Sequence, residues 1–148
     1  MPLKINLKKG QKIILNGAVI ENNSPRSVSF TLINEASILR DSDVMTAEEA
    51  CTPASRIYFS LQGLYLFPEK RELYFQNLND LLKDYESAAP SANSIIEEVR
   101  EKIDNGDYYP ALRKAREIIE HEGKILSNVQ ATITELRHGA DRGESDAK

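Results

Sequence analysis

Two hydrophobic periods divide the chain. Leu3, Ile5 and Leu7 alternate with Lys4 and Asn6, the period of two by which a strand buries one face. Gly10-Gln11 interrupts the run, and Lys12-Ile13-Ile14-Leu15 begins another. Asn16-Gly17 then separates it from Ala18-Val19-Ile20. Both residues of that pair tolerate the positive φ angles of a type I′ turn, so the spacing predicts a hairpin. Asn22-Asn23-Ser24-Pro25 marks a second turn. After it Val28, Phe30 and Leu32 alternate with Ser27, Ser29 and Thr31, and Ala36–Arg40 predicts a last short strand. These segments predict one small antiparallel sheet.

Beyond residue 45 the period becomes helical. Thr46-Ala47-Glu48-Glu49 has the spacing of a capping box, and Thr52-Pro53 places a hydroxyl at N-cap and proline at the first helical position. From Pro53 to Phe67 apolar residues (Ile57, Tyr58, Phe59, Leu61, Leu64, Tyr65, Leu66) nearly encircle the axis, as in a central buried helix. Pro68 ends it. Tyr74, Leu78, Leu81, Leu82 and Tyr85 mark an amphipathic helix over 69–87. After the break at Ala88-Ala89-Pro90-Ser91, Ile95, Ile96, Val99 and Ile103 mark another, closed by Asn105-Gly106. A long helix follows from Tyr108, with apolar positions through Ile125, Leu126, Val129, Ile133 and Leu136. It either packs back on its own bundle or runs past the body to present a stripe to a partner.

The expected fold class is therefore α+β, a small N-terminal antiparallel β-sheet followed by a C-terminal helical bundle. The expected regions are a basic sheet at 1–45, an acidic helical region packed on it at 46–137, and a disordered tail at 138–148. At 148 residues, with 41% hydrophobic and 28% charged residues, the chain has the composition of a globular protein. It contains no run of roughly 18 apolar residues able to span a bilayer, and its first dozen residues lack the apolar stretch of a secretory signal. A single cysteine, Cys51, cannot form an internal disulfide and fits a reducing compartment. These features predict a cytoplasmic protein with no membrane contact.

Charge changes this picture. Residues 1–40 hold six basic side chains (Lys4, Lys8, Lys9, Lys12, Arg26, Arg40) against Glu21 and Glu35, a net of +4. Since the whole chain carries −4, the remainder carries −8. A polyanion, if bound, should dock on the first forty residues.

Catalytic groupings are not evident. His121 sits between two glutamates and His138 precedes the polar tail, without the convergent spacing of a zinc site. Cys51 has no histidine near it in sequence and is expected to pack as a small hydrophobe. The seven glycines form no phosphate-binding loop. Gly106-Asp107-Tyr108-Tyr109-Pro110-Ala111-Leu112 is similar to the opening of a tetratricopeptide-type helix, but no copy follows about 34 residues away. It is expected to be a helix–helix turn packed by tyrosines. Neither an enzyme, a metal nor a cofactor is implied.

Several stretches together resemble the FlbT family of alphaproteobacterial flagellar regulators. They are Met1-Pro2-Leu3-Lys4 with Leu7-Lys8-Lys9-Gly10-Gln11 and Ile14–Ile20; Ala36–Arg40 with Thr46–Ala50; Thr52–Phe59 with Leu61-Gln62 and Tyr65-Leu66; and Gly106–Tyr109 with Ala111-Leu112-Arg113. They occur in order over roughly residues 1–126. Ser55 and Pro110 depart from the pattern, each replacing an expected basic residue. The resemblance implies a non-enzymatic regulator acting on the 5′ untranslated leader of flagellin mRNA, to control its translation and decay. It implies FlaF as a co-regulator, and it leaves the direction of control open. Lys8–Gly17 and Asn34–Asp41 are also similar to the first hairpin and a later strand of the carbon storage regulator family, dimeric RNA binders that use basic residues at strand edges.

On this basis Lys4, Lys8, Lys9, Lys12, Arg26 and Arg40 are the candidate RNA-binding residues. The lysines alternating with Leu3, Ile5 and Leu7 should share one face, and Arg40 offers a planar fork for a phosphate or base edge. Arg56 is expected to brace the sheet against the bundle. Phe30 alone among sheet residues is aromatic, so an aromatic stacking platform is not predicted. The alternative is an adaptor whose stripe Ile125, Val129, Ile133 and Leu136 binds FlaF or flagellin, with any effect on RNA indirect. A homo-oligomer is also expected, because small sheets with exposed edges tend to be covered or paired.

Overall fold

A computed structural model describes the backbone of residues 2–146 and the side chains of residues 2–137. Five strands precede four α-helices: β1 (Leu3–Leu7), β2 (Lys12–Leu15), β3 (Ala18–Glu21), β4 (Val28–Leu32), β5 (Ile38–Arg40), then α1 (Pro53–Leu66), α2 (Arg71–Ala88), α3 (Asn93–Asp104) and α4 (Tyr108–Asp146). The architecture is α+β, as the change of period predicts.

The strands form two sheets where the sequence pattern predicts one. β1 pairs antiparallel with β4, from Leu3↔Leu32 to Leu7↔Val28. The second sheet has the order β3-β2-β5, with Ile13 opposite Ile20 and Arg40, and Ile14 opposite Val19 and Leu39. The reason lies in β2, whose consecutive isoleucines point to opposite faces. Ile13 is buried with Ile5 and Leu7, against Phe30, Leu32 and Ile38. Ile14 and Leu39 are buried in the helical core. Such a strand needs cover on both sides, which β1–β4 provides on one and the helices on the other. The β2–β3 turn is the predicted hairpin, with positive φ at Asn16 (50°) and Gly17 (85°).

Tyr65 of α1 ties the layers together. Its hydroxyl accepts from the Ile38 amide (2.9 Å) and donates to the Ile38 carbonyl (3.0 Å). The Gln62 amide does the same for Met45, accepting from its N–H at 2.8 Å and donating to its carbonyl at 3.0 Å.

Helix α1 begins where Thr52-Pro53 predicts. Thr52 Oγ1 accepts from the Ser55 amide, and Ser55 Oγ accepts from the Thr52 amide. At Thr46 the predicted capping contact forms, with the Glu49 amide donating to Thr46 Oγ1 at 3.3 Å, yet only a turn follows. Pro53 is the cause: it disfavours a helical conformation at Thr52, which is extended (φ −115°, ψ 161°). Cys51 lies in this extended linker and is exposed, not packed as a small hydrophobe. Arg56, expected to brace the sheet, is exposed as well.

The helices enclose one core in which Ile57, Leu61 and Leu64 are wholly inaccessible. Gly63 lets α2 approach closely, since a Cβ there would meet the Tyr74 ring at 2.5 Å. The helix–helix turn before α4 is packed by tyrosines as expected: Tyr109 lies 5.5 Å from Tyr65, and the Arg71 guanidinium sits 4.6 Å over Tyr108. α4 is buried along its first half and exposed throughout 123–137. Its backbone is helical to Asp146, whereas the sequence predicts a tail from His138; the side chains of 138–148 lie outside the described residues.

Burial, and secondarily the Glu122 carboxylate, push the Tyr85 phenol up to about 12 from an ordinary value of 10.0. Burial also raises Tyr58 and Tyr65. A raised phenol keeps its proton in the folded state after the unfolded chain has lost it. Its stabilisation is therefore intact below pH 10 and lost as the pH climbs towards 12. Denaturant melts across this window should show stability falling, and Tyr85→Phe should flatten the fall.

Candidate nucleic-acid interface

All six candidate cations are exposed, but they do not form a single row. Lys4 lies within β1 opposite Thr31, and Asn6 lies opposite Ser29, which makes the outer face of the β1–β4 sheet polar. Lys8 does not continue that row. It falls after the strand in a tight loop, where its amide donates to Gln11 Oε1 (2.8 Å) and its carbonyl accepts from the Gln11 amide (3.0 Å). Gly10 closes the loop with φ 78°, a conformation that favours glycine.

Asn22 shapes this end of the β region. It is only 8% exposed, and its Nδ2 donates to the carbonyls of Leu7 and Arg26, each at 2.9 Å. Its Oδ1 accepts from the Ser24 amide (3.0 Å) and from Ser24 Oγ (2.7 Å). This network folds the turn carrying Arg26 back onto the end of β1, beside Lys8 and Lys9. On the neighbouring sheet Arg40 lies opposite Ile13 in the register, next to Lys12. A cleft of about 110 Å³ between the sheets has Asn6, Gln11, Lys12, Arg40, Asp41 and Ser42 as its polar lining, so one carboxylate shares it with two cations.

Five of the six cations (Lys8, Lys9, Lys12, Arg26 and Arg40) are thus gathered at one end of the two sheets. Lys4 stands apart, about 10 Å back along β1 from its end at Leu7, at about 3.3 Å per residue. Among the described residues none of the six forms an ion pair; the pairs found are Arg100–Glu86, Lys114 with Glu98 and Glu117, and Arg116–Asp43. Two carboxylates share this end, Glu21 opposite Lys12 and Asp41 next to Arg40, against the five cations. The opposite end of the β region, around Leu3, Ile33, Asn34 and Glu35, offers a cleft without a cation. Phe30 is half-buried between the sheets, so no exposed aromatic ring accompanies the cations of the β region.

The cations are legible in the sequence, whereas the residues that collect them are not. Asn22 was visible only as one member of a turn cluster, and Asn6 and Gln11 carried no signal. The apolar side chains of Ile125, Val129, Ile133 and Leu136 are all exposed on α4. Leu126 belongs with them at 52% exposure.

Other polar clusters are structural. The Arg116 guanidinium is engaged by Asp43 and the Ser42 carbonyl, while the Tyr58 hydroxyl donates to the Asp43 carbonyl at 2.5 Å. Glu122 Oε2 accepts from the Ala54 amide in the first turn of α1 (2.9 Å). His121 is hydrogen-bonded through Nδ1 to Tyr85 (3.0 Å) and through Nε2 to Ser91 (2.8 Å). Among the described residues no group of three or more His, Cys, Asp or Glu side chains is placed to hold a metal. No helix among them is long and apolar enough to cross a membrane.

The molecule is thus a small α+β protein with a basic β end and an acidic helical body. A family model described as flagellar protein FlbT matches residues 3–126, and the chain belongs to that family. It is 35% identical over 131 residues to a "Probable flagellum biosynthesis repressor protein FlbT" of Caulobacter sp. (strain K31), covering 87% of this chain and 99% of the relative. It is 36% identical to a similarly named protein of Bradyrhizobium diazoefficiens, covering 89% and 90%. The "Flagellum biosynthesis repressor protein FlbT" of Caulobacter vibrioides (strain ATCC 19089) is 33% identical, covering 97% and 100%. No solved structure matches this chain.

Proposed function

We propose that this chain is a non-catalytic cytoplasmic regulator of flagellum biosynthesis that binds the 5′ untranslated leader of flagellin mRNA through the basic end of its β region. Binding there controls translation and decay of the message; the printed name of a relative, a flagellum biosynthesis repressor, favours repression as the direction. One observation carries the reading: five exposed cations, unpaired among the described residues, converge on one end of a chain whose remainder is acidic. Lys8, Lys9, Lys12 and Arg26 supply phosphate contacts. Arg40, which lines a cleft with Asn6 and Gln11, can hold a phosphate or an unpaired base edge.

Titrating labelled leader RNA with the purified protein at rising salt tests this. Each phosphate contact on a single strand contributes about −0.7 to the slope of log affinity against log salt, so five contacts give a slope of roughly −3.5. A flat dependence, or no binding at low salt, defeats the proposal.

A second reading has its own support in the exposed apolar stripe of α4. In it the helical region docks FlaF or flagellin, and the effect on RNA is indirect. Truncation after Lys124 separates the two surfaces: leader binding should survive while binding of purified FlaF is lost.

A further inference from the structure

The strand edges among the described residues differ in what they present. On β5 the outward amide and carbonyl of Ile38 are both satisfied by the Tyr65 hydroxyl. On β1 the Leu7 carbonyl accepts from Asn22. β4 presents Ser29 and Thr31 on one face and turns Phe30 and Leu32 inward.

β3 is different. It is the end strand of its sheet, and all four of its residues are exposed. Val19 is 63% exposed on the face that carries Ile14, and Ile20 is 41% exposed on the face that carries Ile13. The helices and the β1–β4 sheet, which bury the two isoleucines of β2, both stop short of β3. In a two-residue hairpin the pair flanking the turn is hydrogen-bonded and the next pair is not. The peptide groups of Val19 and Glu21 therefore point away from β2. β3 has no proline, lysine or bulge; only its length of four residues and Glu21 at its far end blunt the edge, which leaves Val19 and Ile20 open.

We infer that the β3 edge is the contact between two copies of this chain, paired antiparallel across a two-fold axis so that the two three-stranded sheets become one of six. A free edge with apolar side chains on both faces is complemented by another such edge, and a two-fold contact closes without leaving a new one. Charge selects the orientation. Glu21 and the five cations lie at one end of the β2–β3 hairpin, and the uncharged Asn16-Gly17-Ala18 lies at the other. Antiparallel pairing sets each Glu21 against the uncharged end of its partner and keeps the two basic ends apart. Parallel pairing brings like charges together. The inference is independent of the RNA reading, because none of the candidate phosphate contacts lies on β3. A four-residue strand pair is smaller than a standard stable interface, so the dimer dissociates on dilution.

Sedimentation equilibrium of the full chain over a range of micromolar concentrations tests the assignment. The expected result is a monomer–dimer equilibrium that Val19→Lys combined with Ile20→Lys shifts at least about tenfold towards monomer, since like charges would then face each other across the joint. Both side chains are exposed, so the thermal melt of the variant should match the parent. Independently of any variant, the amides of Val19 and Glu21 should be protected from hydrogen exchange at high concentration and lose protection on dilution. The inference is overturned by a parent that stays monomeric throughout, or by exchange at these amides that ignores concentration. It is also overturned by a dimer that survives in the folded lysine variant and dissociates in Leu126→Glu/Ile133→Glu, which locates the contact on α4.

Discussion

Truncating Leu61 to alanine is expected to lower the unfolding free energy by about 2–5 kcal/mol, the range for a fully buried leucine whose neighbours relax only partly into the space. Leu61 is wholly inaccessible at the middle of α1, the helix whose buried residues join those of α2, α3 and α4 in one core. For a domain with roughly 5–15 kcal/mol in total, this loss is a large share. At about 2–4 °C per kcal/mol for a chain of this size, the melting temperature should fall by roughly 4–20 °C. The same core contains Ile14 and Leu39 from the strands, so the β region should unfold together with the helices. Far-ultraviolet circular dichroism and tyrosine fluorescence should report coincident urea transitions, with a lower midpoint and unchanged slope. A loss below about 1 kcal/mol would mean that the site collapses readily on truncation. A second, later transition would mean that the strands form their own cooperative unit.

The elements of this fold were largely legible in the sequence because each has a local cause. Asn16-Gly17 dictates its turn through positive φ, and Thr52-Pro53 dictates the start of α1 through its reciprocal cap. The change from period two to a helical period separates strands from helices. Features that depend on what lies on the far side of an element were not legible. Ile13-Ile14 reads as an apolar run, but only the fold shows that one isoleucine faces a second sheet and the other faces the helices. Thr46 and Glu49 make their contact, yet the helix they would open is blocked by Pro53, several residues downstream. Cys51 and Arg56 were misplaced for the same reason. Their exposure follows from the extended linker and from the side of α1 that meets no neighbour, neither of which has a signature at those positions.

The candidate site follows the same division. The cations and their acidic complement are properties of composition, visible without a structure. Their convergence is tertiary, because it needs the loop at Lys8–Gln11, the register that sets Arg40 opposite Ile13, and the buried Asn22 that anchors the Arg26 turn. Lys4, which alternation groups with Lys8, is separated from it once β1 ends at Leu7.

Replacing Lys8, Lys9, Lys12 and Arg40 together by alanine should weaken binding of the flagellin leader and make its salt slope shallower by roughly 2.8, at about 0.7 for each lost phosphate contact on a single strand. All four side chains are exposed and form no ion pair among the described residues. Exposed substitutions of this kind usually stay within about 0.5 kcal/mol each, so the variant should remain folded and its binding loss can be assigned to the interface. A matched control decides between a localised site and a general effect of net charge. Arg56, Lys83, Arg113 and Lys124 are also exposed and outside the ion pairs found, but they lie on the helices. Changing these four to alanine alters net charge by the same amount, and long-range attraction is largely screened beyond about 8 Å at physiological ionic strength. The helical variant should therefore keep the parent's slope and nearly all of its affinity. Equal losses in the two variants would mean that the leader senses only overall charge. A loss confined to the helical variant would move the RNA contact off the β region altogether.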